Sequence, residues 1–204
     1  MNFELQDIEL DNLPMMTCLF KGLKKSFSLK NLTKMKIKGC EKLEFVFSTS
    51  IIMYLPQLLH IRVEKCKELK HMIEDDLENR KTVCFPKLRT LSVIQCNQLK
   101  DVFPISICKE FPELDALMIT DADKLEEIFV CEGDEKVNIP NLKFLAFVNL
   151  PSLCQTQGIH FQAVRCHFVQ HCKNFSLTSA PREDITNYIN YFYDQPGTHF
   201  VQYF

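Results

Sequence analysis

Residues 88 to 103 read LRTLSVIQCNQLKDVF, and the spacing of their apolar positions sets the fold. Leu88, Leu91, Val93, Cys96 and Leu99 occupy places 1, 4, 6, 9 and 12 of a frame L-x-x-L-x-L-x-x-C-x-x-L. The frame recurs as LTKMKIKGCEKL from Leu32, LLHIRVEKCKEL from Leu58 and LDALMITDADKL from Leu114. Looser copies begin at Leu5 (LQDIELDNLPMM), Leu142 (LKFLAFVNLPSL) and Val164 (VRCHFVQHCKNF). The starts near 5, 32, 58, 88, 114, 142 and 164 lie 22 to 30 residues apart, and His167 is the one frame residue outside the hydrophobic set. Four copies continue alike, into LEFVF, LKHMI, LKDVF and LEEIF, and four follow an apolar residue and a proline, as in LPQL, FPKL, FPEL and IPNL.

A period of roughly 20 to 29 residues with this frame is the leucine-rich repeat, in which each unit supplies one short strand and a return limb. One unit cannot bury its own apolar side, so neighbours stack and their leucines form one continuous core. The expected class is α/β: a solenoid of about seven repeats with a curved parallel β-sheet on its concave face. Short helices, 3-10 turns and loops are expected on the convex face. The repeats fill residues 1–178, and residues 179–204 are a carboxy-terminal capping segment or tail. Within x-L-x-L-x the leucines point inward and the residues between them point outward. The prolines suit the bend before each strand, because proline lacks the N–H that a strand interior needs.

Cys40, Cys66, Cys96 and Cys172 all hold the ninth place, where the chain leaves the strand and turns inside the stack. A small, largely apolar side chain with weak hydrogen-bonding ability fits beside that turn, so these thiols are expected to be structural. A reactive or metal-binding cysteine would need close partners or an electropositive setting, which one cysteine per repeat does not supply.

Composition narrows the function classes. With 46% hydrophobic and 25% charged residues the chain is of ordinary globular type, and a net charge of −2 provides no field for nucleic acid or an acidic bilayer. The start MNFELQDIELD lacks the features of a secretory signal. The longest nearly apolar stretch, Phe144 to Cys154, falls short of the roughly 20 residues that a membrane span needs. Ten cysteines without an export signal point to a reducing, cytoplasmic setting, where the sequons at Asn31 and Asn174 carry no meaning.

No motif for chemistry stands out. The five glycines, Gly22, Gly39, Gly133, Gly158 and Gly197, include no pair with P-loop spacing, and GLKKS from Gly22 reads as a solvated turn. The acidic runs at 74–76 and 132–135 fall in return limbs of different copies. CHFVQHC, residues 166 to 172, offers zinc-type ligands, but the strand period sends Cys166 outward and His167 and Cys172 inward. The expectation is no catalytic residue, no metal site, no cofactor and no enzyme.

Binding is the remaining reading, and the outward places locate it. The fifth place runs Glu9, Lys36, Arg62, Ser92, Met118, Ala146 and Phe168; the third runs Asp7, Lys34, His60, Thr90, Ala116, Phe144 and Cys166. With the seventh place (Asp11, Lys38, Glu64, Ile94, Thr120, Val148, Gln170), the columns change together from acidic through basic and polar to apolar. The candidate partner-binding residues are Lys34, Lys36, His60, Arg62, Thr90, Ser92, Met118, Phe144, Ala146 and Phe168. The competing expectation is that the carboxy-terminal stretch covers the apolar end. Pro181 can start a helix there, with Ile185, Tyr188, Ile189 and Phe192 on one face.

The string LRTLSVIQCNQLKDVFP, echoed in LTKMKIKGCEKLEFVF, resembles the leucine-rich repeats of plant nucleotide-binding leucine-rich-repeat disease-resistance proteins, particularly the coiled-coil class. The resemblance covers residues 1 to about 178. It implies a cytoplasmic immune receptor whose repeats sense a pathogen effector or a guarded host protein, and which contact the receptor's nucleotide-binding part. This chain carries no P-loop, so it corresponds to the repeat portion alone, a truncated product or gene fragment. An intracellular leucine-rich-repeat adaptor, such as the substrate receptor of an F-box ubiquitin ligase, is the alternative. Such repeats continue after the cysteine with a Gly-containing helix, where this chain has VF and proline.

Overall fold

The computed structural model describes residues 5–20, 29–52, 54–74, 85–104, 111–130, 137, 139–154, 161 and 163–177. Its elements are β1 (Asp7–Asp11), β2 (Lys34–Lys38), β3 (Phe45–Ser48), α1 (Thr49–Ile52), β4 (His60–Glu64), β5 (His71–Glu74) and β6 (Thr90–Ile94). They continue with β7 (Asp101–Pro104), β8 (Ala116–Thr120), β9 (Glu127–Val130), β10 (Phe144–Val148) and β11 (Cys166–Gln170). Places 3 to 7 of all seven copies are therefore strand.

These seven form one parallel sheet in the order β1-β2-β4-β6-β8-β10-β11. Equivalent places meet across every pair, so Met35, Ile61, Leu91, Leu117 and Leu145 stand in one row. A slip of one residue would turn every leucine to the outside, which is why the alternation fixes the pairing. The inward rows join the other frame positions in one continuous core, with Ile37, Val63, Val93, Ile119 and Phe147 all fully buried. At roughly 1.5–3 kcal/mol for each large apolar side chain taken out of water, this ladder is the main stabilising term. Burial thins out toward β1, whose Ile8 and Leu10 are only half-buried.

The return limb departs from the expected helices and 3-10 turns. Four units add a second parallel sheet, in the order β3-β5-β7-β9, and the single helix among the described residues is the four-residue α1. The cause lies in the shared continuation: FVFS, HMIE, DVFP and EIFV are short apolar runs, and stacking places like on like. Backbone bonds then link neighbouring limbs, as from Lys70 N to Glu44 O at 2.9 Å, Lys100 N to Lys70 O at 2.8 Å and Glu126 N to Lys100 O at 3.0 Å. A chain of phenylalanines packs behind this sheet, with ring centroids 5.1 Å apart for Phe47 and Phe85, 6.3 Å for Phe85 and Phe103 and 5.7 Å for Phe103 and Phe129.

Each unit leaves its strand through one conformation. The eighth place, Asn12, Gly39, Lys65, Gln95, Asp121, Asn149 and His171, is left-handed in all seven copies, with φ between 54° and 65°. Its N–H extends the ladder by bonding the seventh-place carbonyl of the next unit, as in Lys65 N to Ile94 O at 2.9 Å and Asp121 N to Val148 O at 3.0 Å. Four residues on, the chain closes back on the ninth-place carbonyl, as in Leu99 N to Cys96 O at 3.0 Å.

Candidate functional site

The outward residues of the long sheet form three rows in register. The fifth places pair successively, Glu9 with Lys36, Lys36 with Arg62, Arg62 with Ser92, Ser92 with Met118, Met118 with Ala146, and Ala146 with Phe168. The third places run beside them from Asp7 through Lys34, His60, Thr90, Ala116 and Phe144 to Cys166. All ten candidate binding residues thus lie on one continuous face.

The face has two halves. From β1 to β4 it is charged and open: Lys34 is exposed, and Lys36, His60 and Arg62 are half-buried. Opposite charges directly across a strand pair attract, and Lys36 Nζ donates to Glu9 Oε1 at 2.7 Å. Arg62 pairs with Glu64 two places along its own strand, a buried carboxylate that the sequence reading placed in an outward row but not among the binding residues. His60 Nδ1 and Thr90 Oγ1 share a hydrogen bond of 2.8 Å at the boundary.

From β6 to β10 the face is largely closed to solvent, and it opens again along β11. Thr90, Ser92, Met118, Phe144 and Ala146 are all buried, and Phe168 is half-buried. Ala116, Met118, Phe144, Ala146 and Cys166 make an apolar cluster separate from the core, with Ile94 and Phe168 against it. The carboxy-terminal stretch 179–204, expected as a cap, lies outside the described residues.

The ninth-place cysteines sit inside the turn. Cys40, Cys66, Cys96 and Cys172 are buried, and each Sγ donates to the carbonyl two residues back: Lys38 O at 3.6 Å, Glu64 O at 3.5 Å, Ile94 O at 3.5 Å and Gln170 O at 3.4 Å. Burial pushes the Cys40 and Cys172 thiols up. Cys96 is held well above the ordinary thiol range by its bond to the Cys66 sulfur and by burial. The neighbouring Cys96 side chain lowers the Cys66 thiol, against the upward push of burial. Buried and bonded to backbone, these groups act as filler for the turn.

In CHFVQHC the side chains diverge. Cys166 joins the outward cluster, Cys172 bonds Gln170 O and Phe147 O, and His171 Nδ1 bonds Asn149 Oδ1 at 2.7 Å. Asn149 in turn donates to Asp121 Oδ1 at 2.7 Å, so the eighth places of three successive units are laced together. Among the described residues no group of three or more His, Cys, Asp or Glu is placed to hold a metal ion. No helix among them is long and apolar enough to cross a membrane.

No curated protein and no solved structure matches the chain. A family model does: the leucine-rich repeats of plant disease resistance proteins of the RPS2-like kind match residues 1–67 and 67–178. That match falls on the same residues as the seven in-register strands and their turns, and by it the chain belongs to the RPS2-like plant disease resistance leucine-rich repeats.

Proposed function

We propose that the chain is a protein-recognition module that takes its partner on the outward face of the long sheet. In the setting its family suggests, the partner is a pathogen effector or a guarded host protein in the plant cytoplasm, and the activity is binding rather than catalysis. One observation carries the reading: outward side chains in the third- and fifth-place rows pass from acidic in β1, through Lys, His and Arg in β2 and β4, to apolar from β8 on. Seven strands at about 4.8 Å spacing make this face roughly 29 Å wide. That width suits a contact of ordinary protein–protein size.

Charged rims set the rate and specificity of encounter, while buried apolar groups hold the complex. Lys34 and Lys36, on the open half of the face, would therefore select the partner. The test is capture from plant tissue with the parent chain and a Lys34→Glu/Lys36→Glu variant. The variant is expected to lose the partner while staying folded, with a melting temperature lowered only by the loss of the Lys36–Glu9 pair in exposed β1 and β2. Recovery of the same proteins in the same amounts would show that this face is not the site.

A further inference from the structure

The frame places that are sealed in the inner units are open in the first. Leu58, Ile61, Val63, Cys66 and Leu69 of the third copy are at most 1% exposed. Of their equivalents in the first copy, Leu5 and Leu13 are 38% and 41% exposed, and Ile8, Leu10 and Met16 are half-buried. The backbone of β1 is short of the same neighbour. In every later unit the third-place N–H bonds the second-place carbonyl of the unit before it, as in His60 N to Thr33 O at 3.0 Å. The seventh-place carbonyl likewise accepts from the eighth place of that unit, as from Gly39 N to Glu64 O at 3.0 Å. In β1 the equivalent groups are Asp7 N–H and Asp11 C=O, and among the described residues β1 pairs with β2 alone. Apolar side chains and a strand edge thus lie open together, the combination that an added strand covers.

Charge decides which strand fits. Asp7, Glu9 and Asp11 are all exposed, one at each outward place of β1. A strand laid on the open edge would meet them at about 4.8 Å and the lysines of β2 at about twice that distance. Coulomb attraction falls with distance, so the nearer acids prevail, and they favour Lys or Arg at alternate places. From its other side β1 is already met in this way by β2, KMKIK, with Lys34 opposite Asp7, Lys36 opposite Glu9 and Lys38 opposite Asp11. A second copy of the chain joined through β1 would instead set three acids against three acids. We infer that the open edge of β1 takes an extended segment of another protein in which Lys or Arg alternates with apolar residues, adding a further strand to the long sheet. Its cations lie beside Asp7, Glu9 and Asp11, and its apolar side chains close over Leu5, Ile8, Leu10 and Leu13. The edge is a second docking surface, and it does not depend on a partner held by the outward face.

The probe is a blocked peptide, Lys-Ile-Lys-Ile-Lys-Ile-Lys, added to the full chain, with Glu-Ile-Glu-Ile-Glu-Ile-Glu as control. The lysine peptide should bind saturably, more weakly as salt is raised, and should slow backbone hydrogen exchange over residues 5–13; the glutamate peptide should do neither. Asp7→Pro removes the edge N–H, a change that edge strands tolerate. It should weaken lysine-peptide binding at least about tenfold and leave exchange in β6 and β8 as it was. Protection confined to other strands, equal binding of the two peptides, or undiminished binding by Asp7→Pro would overturn the inference. So would a chain that sediments as a dimer and turns monomeric on Asp7→Pro, because the edge would then hold a second copy. Should Asp7→Pro loosen β1 itself, Glu9→Gln/Asp11→Asn decides: weaker binding of the lysine peptide supports the edge site, and unchanged binding refutes it. No plant protein is present in this assay, so its failure is distinct from failure of partner capture.

Discussion

The left-handed eighth place makes a prediction of opposite signs at two equivalent sites. Gln95 has φ 55° and Gly39 has φ 65°, and each is the residue at which its unit turns out of the strand. For a residue with a Cβ this conformation costs roughly 1–2 kcal/mol, while glycine adopts it freely. Against that, glycine adds unfolded-state freedom worth about 0.4–1 kcal/mol. The difference predicts that Gln95→Gly raises stability by about 0.5–1 kcal/mol, its side chain being exposed. Gly39→Ala should lower stability by at least as much, because the new Cβ would also lie 3.1 Å from Asn12 Oδ1 and 3.5 Å from Asn12 Cα. Urea unfolding followed by far-ultraviolet circular dichroism measures both as midpoint shifts at constant slope. A lower midpoint for Gln95→Gly, or a higher one for Gly39→Ala, would refute the reasoning that this conformation is strained at Gln95 and free at Gly39.

Leu117→Ala, in the fully buried centre of the long sheet, should cost about 2–5 kcal/mol in urea unfolding, and Leu10→Ala in half-buried β1 much less; equal costs would contradict the stacked core. Phe103→Ala removes a ring packed against Phe85, Phe111 and Phe129 and should cost about 3–5 kcal/mol, with loss of the second sheet read by hydrogen exchange. Raised thiols in the fold mean that the unfolded chain loses their protons first. Stability should therefore hold below about pH 8.5 and fall as pH climbs above it, with Cys66 acting in the opposite sense. Melting temperature under reducing conditions checks this, and Cys96→Ser should fall less steeply than the parent.

The strands were legible because a period of two buries one row and exposes the next, and seven repetitions of that pattern leave a single pairing. The same repetition placed the outward rows, since Lys36, Arg62, Ser92 and Met118 keep equivalent places across neighbouring strands. The return limb was not legible. A run such as FVFS is too short for its period to decide between helix and strand, and only pairing with HMIE in the next unit makes it a strand. The left-handed place was hidden by Lys65, Gln95 and His171, although Asn12, Gly39, Asp121 and Asn149 are the residue types that tolerate it. Sequence leaves the burial of Met118 and Phe144 open between a partner and a cover from the same chain, because an outward side chain is exposed or covered according to what lies above it, which a local pattern does not encode.

The second sheet bears on how the coil bends. A repeat solenoid arches when its units are wedges, wider behind than in front: a helix takes up roughly 8–10 Å beside its neighbour, and a parallel strand about 4.8 Å. From β3 to β9 both sides are strand, so these units are slabs of even thickness. By this spacing the two described faces of that stretch advance equally, and stacking strand on strand on both sides adds little arch there.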